Sequence, residues 1–356
     1  MRCFPLFAAA ALAASTAAHA AGSFIELQTP GVQITRISPN GEYAAGSISY
    51  TAGFRWTAAT GTEELLPELD AAGGVNDAGT IAGAVPENGG ANEGGRDLGA
   101  YLAIGAAPVQ LTGTLQTNSS GYDISDDGTV VGLSFDDGFA GAAVAFTWTA
   151  ADGMSALAVN RPQNYSRANA ISADGHVIAG WNDQDDGGRT AVIWTDGVPW
   201  DVVDADGIAV GEASAVTADG AFVVGSSYYD ADGNSGAWRW DAVNGVQLVP
   251  GMSFAFGVSA DGKTVVGNTG FFDDPPRAPM IWREGIGTMT LADYLAEQDI
   301  AVPDGWDLSG GLGAISGDGR LLGGWAFGPL GTQSFLVRID GSDTVFADGF
   351  ESAPVR

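Results

Sequence analysis

The sequence predicts an all-β fold: a seven-bladed β-propeller, closed by an N-terminal strand, with one short helix near 290–298. Three observations predict it. First, a phrase of the form apolar–Ser/Thr/Asn–x–Asp/Asn–Gly occurs seven times and ends at Gly41, Gly79, Gly128, Gly175, Gly220, Gly262 and Gly319. The steps between these glycines are 38, 49, 47, 45, 42 and 57 residues, and self-similarity at periods of about 40–45 residues marks blade repeats. Second, each phrase sits between two short apolar runs, as a hairpin turn would. Third, most copies carry an aromatic residue at a fixed place further along. Four short strands per unit with glycine turns is the pattern of a propeller blade, and seven units fall within the usual range.

The chain opens with a secretory signal. Arg2 supplies the charged start, Cys3–Thr16 the apolar stretch, and Ala18-His19-Ala20 the small-residue cleavage site. The expected organisation is therefore a signal peptide over 1–20, a propeller of seven repeats over 21–343 and a C-terminal tail over 344–356. Export follows, to the cell surface or beyond it, with the periplasm as the nearer alternative. No other segment offers the roughly 20 apolar residues of a membrane-spanning helix. Cleavage would remove the only cysteine and one of the two histidines. Disulfides, thiol chemistry and cysteine-based metal sites then drop out.

Residues 255–293 show one unit in full. Ala255–Ser259 and Lys263–Gly267 form the hairpin around Asp261-Gly262, and a polar loop follows. Ala278–Arg283 is the third strand and Thr288–Leu291 the fourth. The second strand recurs as Tyr43–Gly46, Thr80–Gly83, Thr129–Gly132, Val177–Gly180, Phe222–Gly225 and Arg320–Gly323. The third strand carries Trp56, Tyr101, Trp148, Trp194, Trp240, Trp282 and, in the last unit, Phe335. An aromatic at fixed register in each blade suits the wedge between neighbouring blades better than a ligand site.

One segment breaks the pattern. Leu291, Tyr294, Leu295 and Gln298 lie at helical spacing behind Thr290 and Asp293, which resemble a capping box. This helix and the stretch to Trp306 account for the long last step. It could cover a propeller face as a lid or pack into the seam between blades 6 and 7. The last unit lacks a clear fourth strand, and a spare strand, Phe24–Leu27, stands ahead of the first unit. The two are expected to pair, Phe24–Leu27 against Ser334–Arg338, which would close the ring and hide two strand edges.

The composition is strongly acidic: 43 Asp and Glu against 14 Lys and Arg, a net charge of −29. That argues against nucleic acid or anionic lipid as a partner. Candidate chemistry is sparse. His176 would be the only imidazole after cleavage, and it follows a tight turn flanked by Ser172 and Asp174. No nucleophile elbow and no zinc-protease motif occurs. The carboxylate pairs Asp136-Asp137, Asp185-Asp186 and Asp273-Asp274 fall in the loop after the second strand. A glycosidase needs two carboxyls about 5–9 Å apart across one pocket, which adjacent loop residues do not provide. Calcium is the better-motivated ion, because hard cations take oxygens from acidic turns. Its candidate ligands are Asp230, Asp232 and Asn234, although the full calcium-loop motif is absent.

These residues resemble the HAF-type probable extracellular repeat of exported bacterial proteins. The carriers are the I-S-x-D-G-x-x-V-x-G phrase, clearest at 171–180 and 258–267, and the Trp downstream; the likeness runs over about 35–340. The segment Leu291–Leu295, Gly305-Trp306, Ala314–Ser316 resembles the stretch ahead of that family's last repeat. The resemblance implies export and a repeat fold, and no defined activity. A WD40 propeller shares the rhythm, but only Trp240-Asp241 gives its dipeptide. The sequence thus favours an exported, monomeric, non-catalytic propeller that presents loops to a glycan or protein. A secreted polysaccharide hydrolase or lyase using rim carboxylates is the alternative.

Overall fold

A computed structural model describes residues 22–48, 51–88, 96–115, 118–139, 142–227, 236–270 and 277–340, with backbone alone for 136–139. Residues 1–20, expected as a signal peptide, the tail beyond 340, the Asp273-Asp274 pair and the side chains of Asp136 and Asp137 lie outside the described residues.

Each repeated phrase closes one hairpin. In blade 4 the Ser172 hydroxyl donates to Asp174 Oδ1 (2.6 Å) and accepts from the Val177 N–H (3.0 Å). Asp174 Oδ1 also accepts from the His176 N–H (3.1 Å). Gly175 takes φ of 78°, where a side chain would be strained. The same box recurs in blades 1, 3, 5, 6 and 7, where the hydroxyls of Ser38, Ser125, Thr217, Ser259 and Ser316 accept the matching backbone N–H. In blade 2, whose acid stands one place early, Asn76 Oδ1 accepts from both Ala78 and Thr80. The displaced Asp77 instead accepts from the Asn40 N–H of blade 1 (2.8 Å). In the other six blades the phrase's hydroxyl and its last acid or amide are therefore spent on the turn itself, while in blade 2 the acid ties to the neighbouring turn.

The hairpins form seven four-stranded antiparallel sheets. Six contain four consecutive strands. The seventh orders Asp307–Ile315, Leu321–Gly328 and Gly331–Ile339 and then takes Gly22–Pro30 as its outer strand. The register is Ser23↔Arg338, Phe24↔Val337, Ile25↔Leu336 and Glu26↔Phe335, as the sequence led one to expect. Beyond a bulge, Leu27 is 1% exposed and its carbonyl accepts from Gln333 Nε2 (3.1 Å).

Every inner strand carries a bulge, for instance between Ala168 and Ala170 and between Ile34 and Arg36. The bulge pushes an inner-strand carbonyl against the glycine that ends the second-strand run. A Cβ on Gly180 would sit 2.0 Å from the Arg167 oxygen, and one on Gly267 1.8 Å from that of Phe254. Glycine is required there by close backbone approach. In blade 7 this position is Gly324, which faces Leu312 across the bulge, and not Gly323 as the sequence reading had it.

Third-strand aromatics fill the wedges between blades. Trp194 packs with Val131 and Ala145 of blade 3, and Trp56 with Ala314, Leu321 and Leu336 of blade 7. One assignment needs correction. Phe335 faces Gly324, so its register matches Phe54, Phe146 and Trp238, which face Gly46, Gly132 and Gly225. The position of Trp56 and Trp194 is occupied in blade 7 by Val337.

The helix spans Leu291–Glu297. Thr290 is its N-cap and accepts from the Asp293 N–H (3.1 Å). Leu291, Tyr294 and Leu295 join Val266 and Ile281 of blade 6 and Leu312, Leu322 and Phe335 of blade 7. The helix packs into the seam; it is not a lid. No helix among the described residues is long and apolar enough to cross a membrane.

Candidate functional site

The central channel has two unlike mouths. The turn-side mouth is lined by the apolar residue that opens each phrase, from Ile37 to Ile315, around a cavity of about 80 Å³. Backbone hydrogen bonds link neighbouring turns there: Asp126 N–H to Ala173 O, Ala173 N–H to Ala218 O, Ala260 N–H to Gly317 O and Gly317 N–H to Pro39 O, all 2.8–2.9 Å. This end is a structural clasp with little polar capacity left for a ligand.

Midway, two charged side chains block the channel. Arg36 of blade 1 reaches across and donates to the carbonyls of Asn169 and Ser214, each at 3.2 Å. Asp123 of blade 3 accepts from its own Ile124 N–H and from Ile171 of blade 4, each at 3.0 Å. Burial pushes the Asp123 carboxyl above the ordinary aspartate range, and the Arg36 charge opposes this. Gly74 makes the room, since a Cβ there would lie 2.2 Å from Asp123 Oδ1.

The loop-side mouth varies from blade to blade. The residue after each second-strand glycine stands toward the loop end of its strand: Ser47, Ala84, Leu133, Trp181, Ser226, Asn268 and Trp325. Two of the seven are tryptophan. In blade 4, Trp181 lies under Arg189 (4.1 Å to the ring centre) and Arg167 (5.4 Å), and Arg167 also covers Tyr122 (5.3 Å). Both arginines ion-pair with Glu212, Arg189 at 2.6 Å. Asn169 Nδ2 donates to the same carboxylate (2.9 Å) and Asp183 lies 3.7 Å from Arg189. Burial raises the Asp183 carboxyl; Arg189 lowers it and Glu212 raises it further.

Blade 7 is open where blade 4 is filled. Trp325 faces Gly311, which has no side chain to cover it. A cavity of about 200 Å³ remains, walled by Trp325, Phe254, Phe256, Gln33, Asn268, Arg36 and Arg277. Arg277 lies 5.6 Å from the Trp325 ring centre, and Phe254 and Phe256 stack at 6.4 Å.

The candidates from the sequence lie elsewhere. His176 is exposed, with Nδ1 2.6 Å from Asp196 Oδ1, whose hydrogen bond and charge raise the imidazole. Ser172 and Asp174 serve the turn and form no relay with it. Asp185 accepts from Asn164 Nδ2 and Asp186 from the Gly188 N–H, so this pair shapes its own loop. Asp230, Asp232 and Asn234 fall outside the described residues. Among the described residues, no three His, Cys, Asp or Glu side chains gather as metal ligands would. Sequence reasoning passed over Trp181 and Trp325. The signal was available: they are the two large aromatics in a column otherwise of small or polar residues, with one Leu.

No family model and no curated protein matches the chain. Among solved structures, it is similar to the β-propeller domain of the Trilobed protease from Pyrococcus furiosus, described as having an open velcro topology. The TM-score is 0.57 at 10% identity, over 87% of this chain and 96% of that domain. That likeness establishes the propeller fold and nothing about chemistry. Two weaker likenesses are to TolB-type proteins. One is from Agrobacterium tumefaciens (TM-score 0.46, 17% identity, 64% of this chain and 82% of that one). The other is from Acinetobacter baumannii (TM-score 0.45, 13% identity, 86% and 78%). At those scores neither bears on function.

Proposed function

We propose that the chain is an exported, monomeric, non-catalytic recognition propeller that holds its partner at the loop-side mouth. In this reading residues 1–20 are cleaved on export, 21–343 form the binding domain and 344–356 trail from it, at the cell surface, beyond it or in the periplasm. The partner is a glycan or a protein. The observation that carries this reading is the contrast between the ends of one repeat. The turn ends are alike and spend their side chains on their own and neighbouring turns, whereas the loop ends differ and collect Trp, Phe and Arg around a cavity. Ligand sites are concave, largely apolar and fitted with a few polar groups. The HAF-type resemblance is consistent with it, since the family phrase makes only the structural turn and leaves the other face free to diverge.

The test is a glycan and protein binding screen on the purified chain, with and without calcium. A partner lost when Gly313→Leu fills the mouth supports the reading; one unaffected by that change removes it. Calcium dependence that Asp232→Ala abolishes would add a metal site at Asp230, Asp232 and Asn234.

The hydrolase or lyase alternative draws on one observation, the Asp183 carboxyl raised by burial near Glu212, since carboxyl pairs suit acid–base work. Two arginines and Asn169 hold Glu212, which makes it an ion-pair node first. Release of reducing ends from acidic polysaccharides, lost in Glu212→Gln, would favour the enzyme.

A further inference from the structure

We propose that Arg36 is a gate in the central channel and Asp123 its acid-sensitive latch. With Asp123 ionised, Arg36 stays across the channel; once Asp123 is protonated, Arg36 swings into the loop-side cavity and the two cavities join. The proposal does not depend on what the loop-side mouth binds.

The geometry supplies the gate. Arg36, Phe256 and Gly313 border both the turn-side cavity of about 80 Å³ and the loop-side cavity of about 200 Å³. Gly313 has no side chain and Phe256 is a stiff ring, so Arg36 is the one long, movable group of the three. Its guanidinium is tethered to the carbonyls of Thr35, Asn169 and Ser214 at 3.1–3.2 Å, and one nitrogen serves two of them. These contacts lie at the long end of the N–H···O range. The loop-side cavity lies against the same side chain and gives it room to turn.

Asp123 supplies the latch. It lines the turn-side cavity, which leaves it some accessible surface, yet protein encloses it on every side. Its two oxygens accept the Ile124 and Ile171 N–H groups, each at 3.0 Å. Arg36 of blade 1 is the charge that bears on it. The cavity walls from blades 2, 4, 5, 6 and 7 hold no titratable side chain. Asp126, on the same blade, accepts from the Asp77 N–H (3.0 Å). Toward the loop side, Tyr122 lies beside Arg167, whose charge is paired with Glu212.

Linkage fixes the direction. Asp123 holds its proton more tightly when the cation is away, so acid favours the state with Arg36 released. A guanidinium left in the channel without an anion is costly, and the loop-side cavity offers it a way toward water. Burial already raises the Asp123 carboxyl, which places the transition above the ordinary aspartate range.

The experiment takes the full chain from about pH 7.5 to about pH 4.5, across the range where a raised carboxyl titrates. One readout is hydrogen exchange, corrected for its intrinsic pH dependence. The other is the fluorine resonance of Trp325 in fluorotryptophan-labelled protein, identified with Trp325→Phe; this ring borders the cavity that Arg36 enters. The expected result is one acid step. The Ile124 and Ile171 amides exchange about tenfold faster, Trp325 shifts, and the outer strands Val198–Asp201 and Gly245–Val249 keep their rates. Asp123→Asn shows the acid form of the Trp325 signal at every pH, and Arg36→Gln shows no Trp325 step. Should Asp123→Asn fail to fold, the wild type against Arg36→Gln decides. No Trp325 step in the wild type, a step that persists in either variant, or faster exchange with a constant Trp325 signal overturns the gate. So does a step in which the outer strands exchange equally faster, since that is acid unfolding of the whole ring.

Discussion

Blades 4 and 7 place a tryptophan at the same register position and give it different work. Trp181 faces Arg167 on the inner strand; Trp325 faces Gly311. In blade 4 the long cation and Arg189 lie over the ring, Glu212 ion-pairs with both, and Trp181 is 5% exposed. In blade 7 the inner strand offers only Gly311, Arg277 lies 5.6 Å from the ring centre, and Trp325 becomes the wall of a cavity. Whether the ring is core or contact surface is decided by the residue opposite, on another strand. A second difference compounds the first: blade 4 is continuous in the chain, while blade 7 joins its two ends.

That second difference gives the largest expected effect. Deleting residues 21–28 removes the outer strand of blade 7 together with buried Leu27 and the partly buried Phe24 and Ile25. At about 1.5–3 kcal/mol per apolar side chain, the melting temperature should fall by roughly ten degrees. Trimming after Asp343 should change it by less than about two degrees. Equal sensitivity to both truncations, measured by calorimetry, would mean that the ring does not depend on this strand.

Next come the tryptophans. Trp181→Ala should cost about 3–5 kcal/mol, as a large buried side chain does, and Trp325→Ala only about 1 kcal/mol. Urea titrations giving equal losses would erase the distinction between core and surface. Glu212→Gln leaves two half-exposed arginines without their anion and should cost about 2 kcal/mol, less than a fully buried pair would. Arg277→Gln in blade 7 removes a guanidinium over one ring and should cost about 1 kcal/mol, less than Glu212→Gln. A larger loss for Arg277→Gln would reverse the contrast.

The smallest effects concern pH within blade 4. Burial raises the Asp183 carboxyl, so the folded state keeps its proton to higher pH than the unfolded chain. Its cost is absent below the ordinary aspartate pKa and grows as pH rises through the raised value. Asp183→Asn should be neutral near about pH 3 and should raise the melting temperature by about one degree near pH 7. Asp201 has the opposite sign. Burial acts to raise it, but hydrogen bonds from Arg161 and Asn160 carry it below the ordinary range. Its stabilisation is present above the ordinary aspartate pKa and is lost as pH falls, so Asp201→Asn should destabilise near neutrality and not in acid. Melting curves across pH that show the same sign for both would refute the assignment.

Periodicity carried the reading of the fold. The phrase recurs because one turn is needed in every blade, and the glycine after the second strand recurs because a bulged carbonyl passes over it. Even strand pairing between the chain ends followed from counting strands per unit. The reading slipped where two similar positions compete: blade 7 has Gly323 and Gly324 in a row, and an aromatic two residues early. It missed the mouth tryptophans because attention rested on residues that repeat, and a variable site appears in the sequence only as an exception to the repeat.

Local hydrogen bonding and backbone sterics are written in short stretches of chain, so the sequence alone set the hairpins and their number. The carbonyls that hold Arg36 across the channel, and Glu212 with the two blade 4 arginines that converge on it, come from different blades, in part far apart in the chain. Only the closed ring brings them within contact distance. The position of the cavity was therefore decided by the packing of seven blades around one axis, where a missing side chain in one strand becomes space beside a ring in the next.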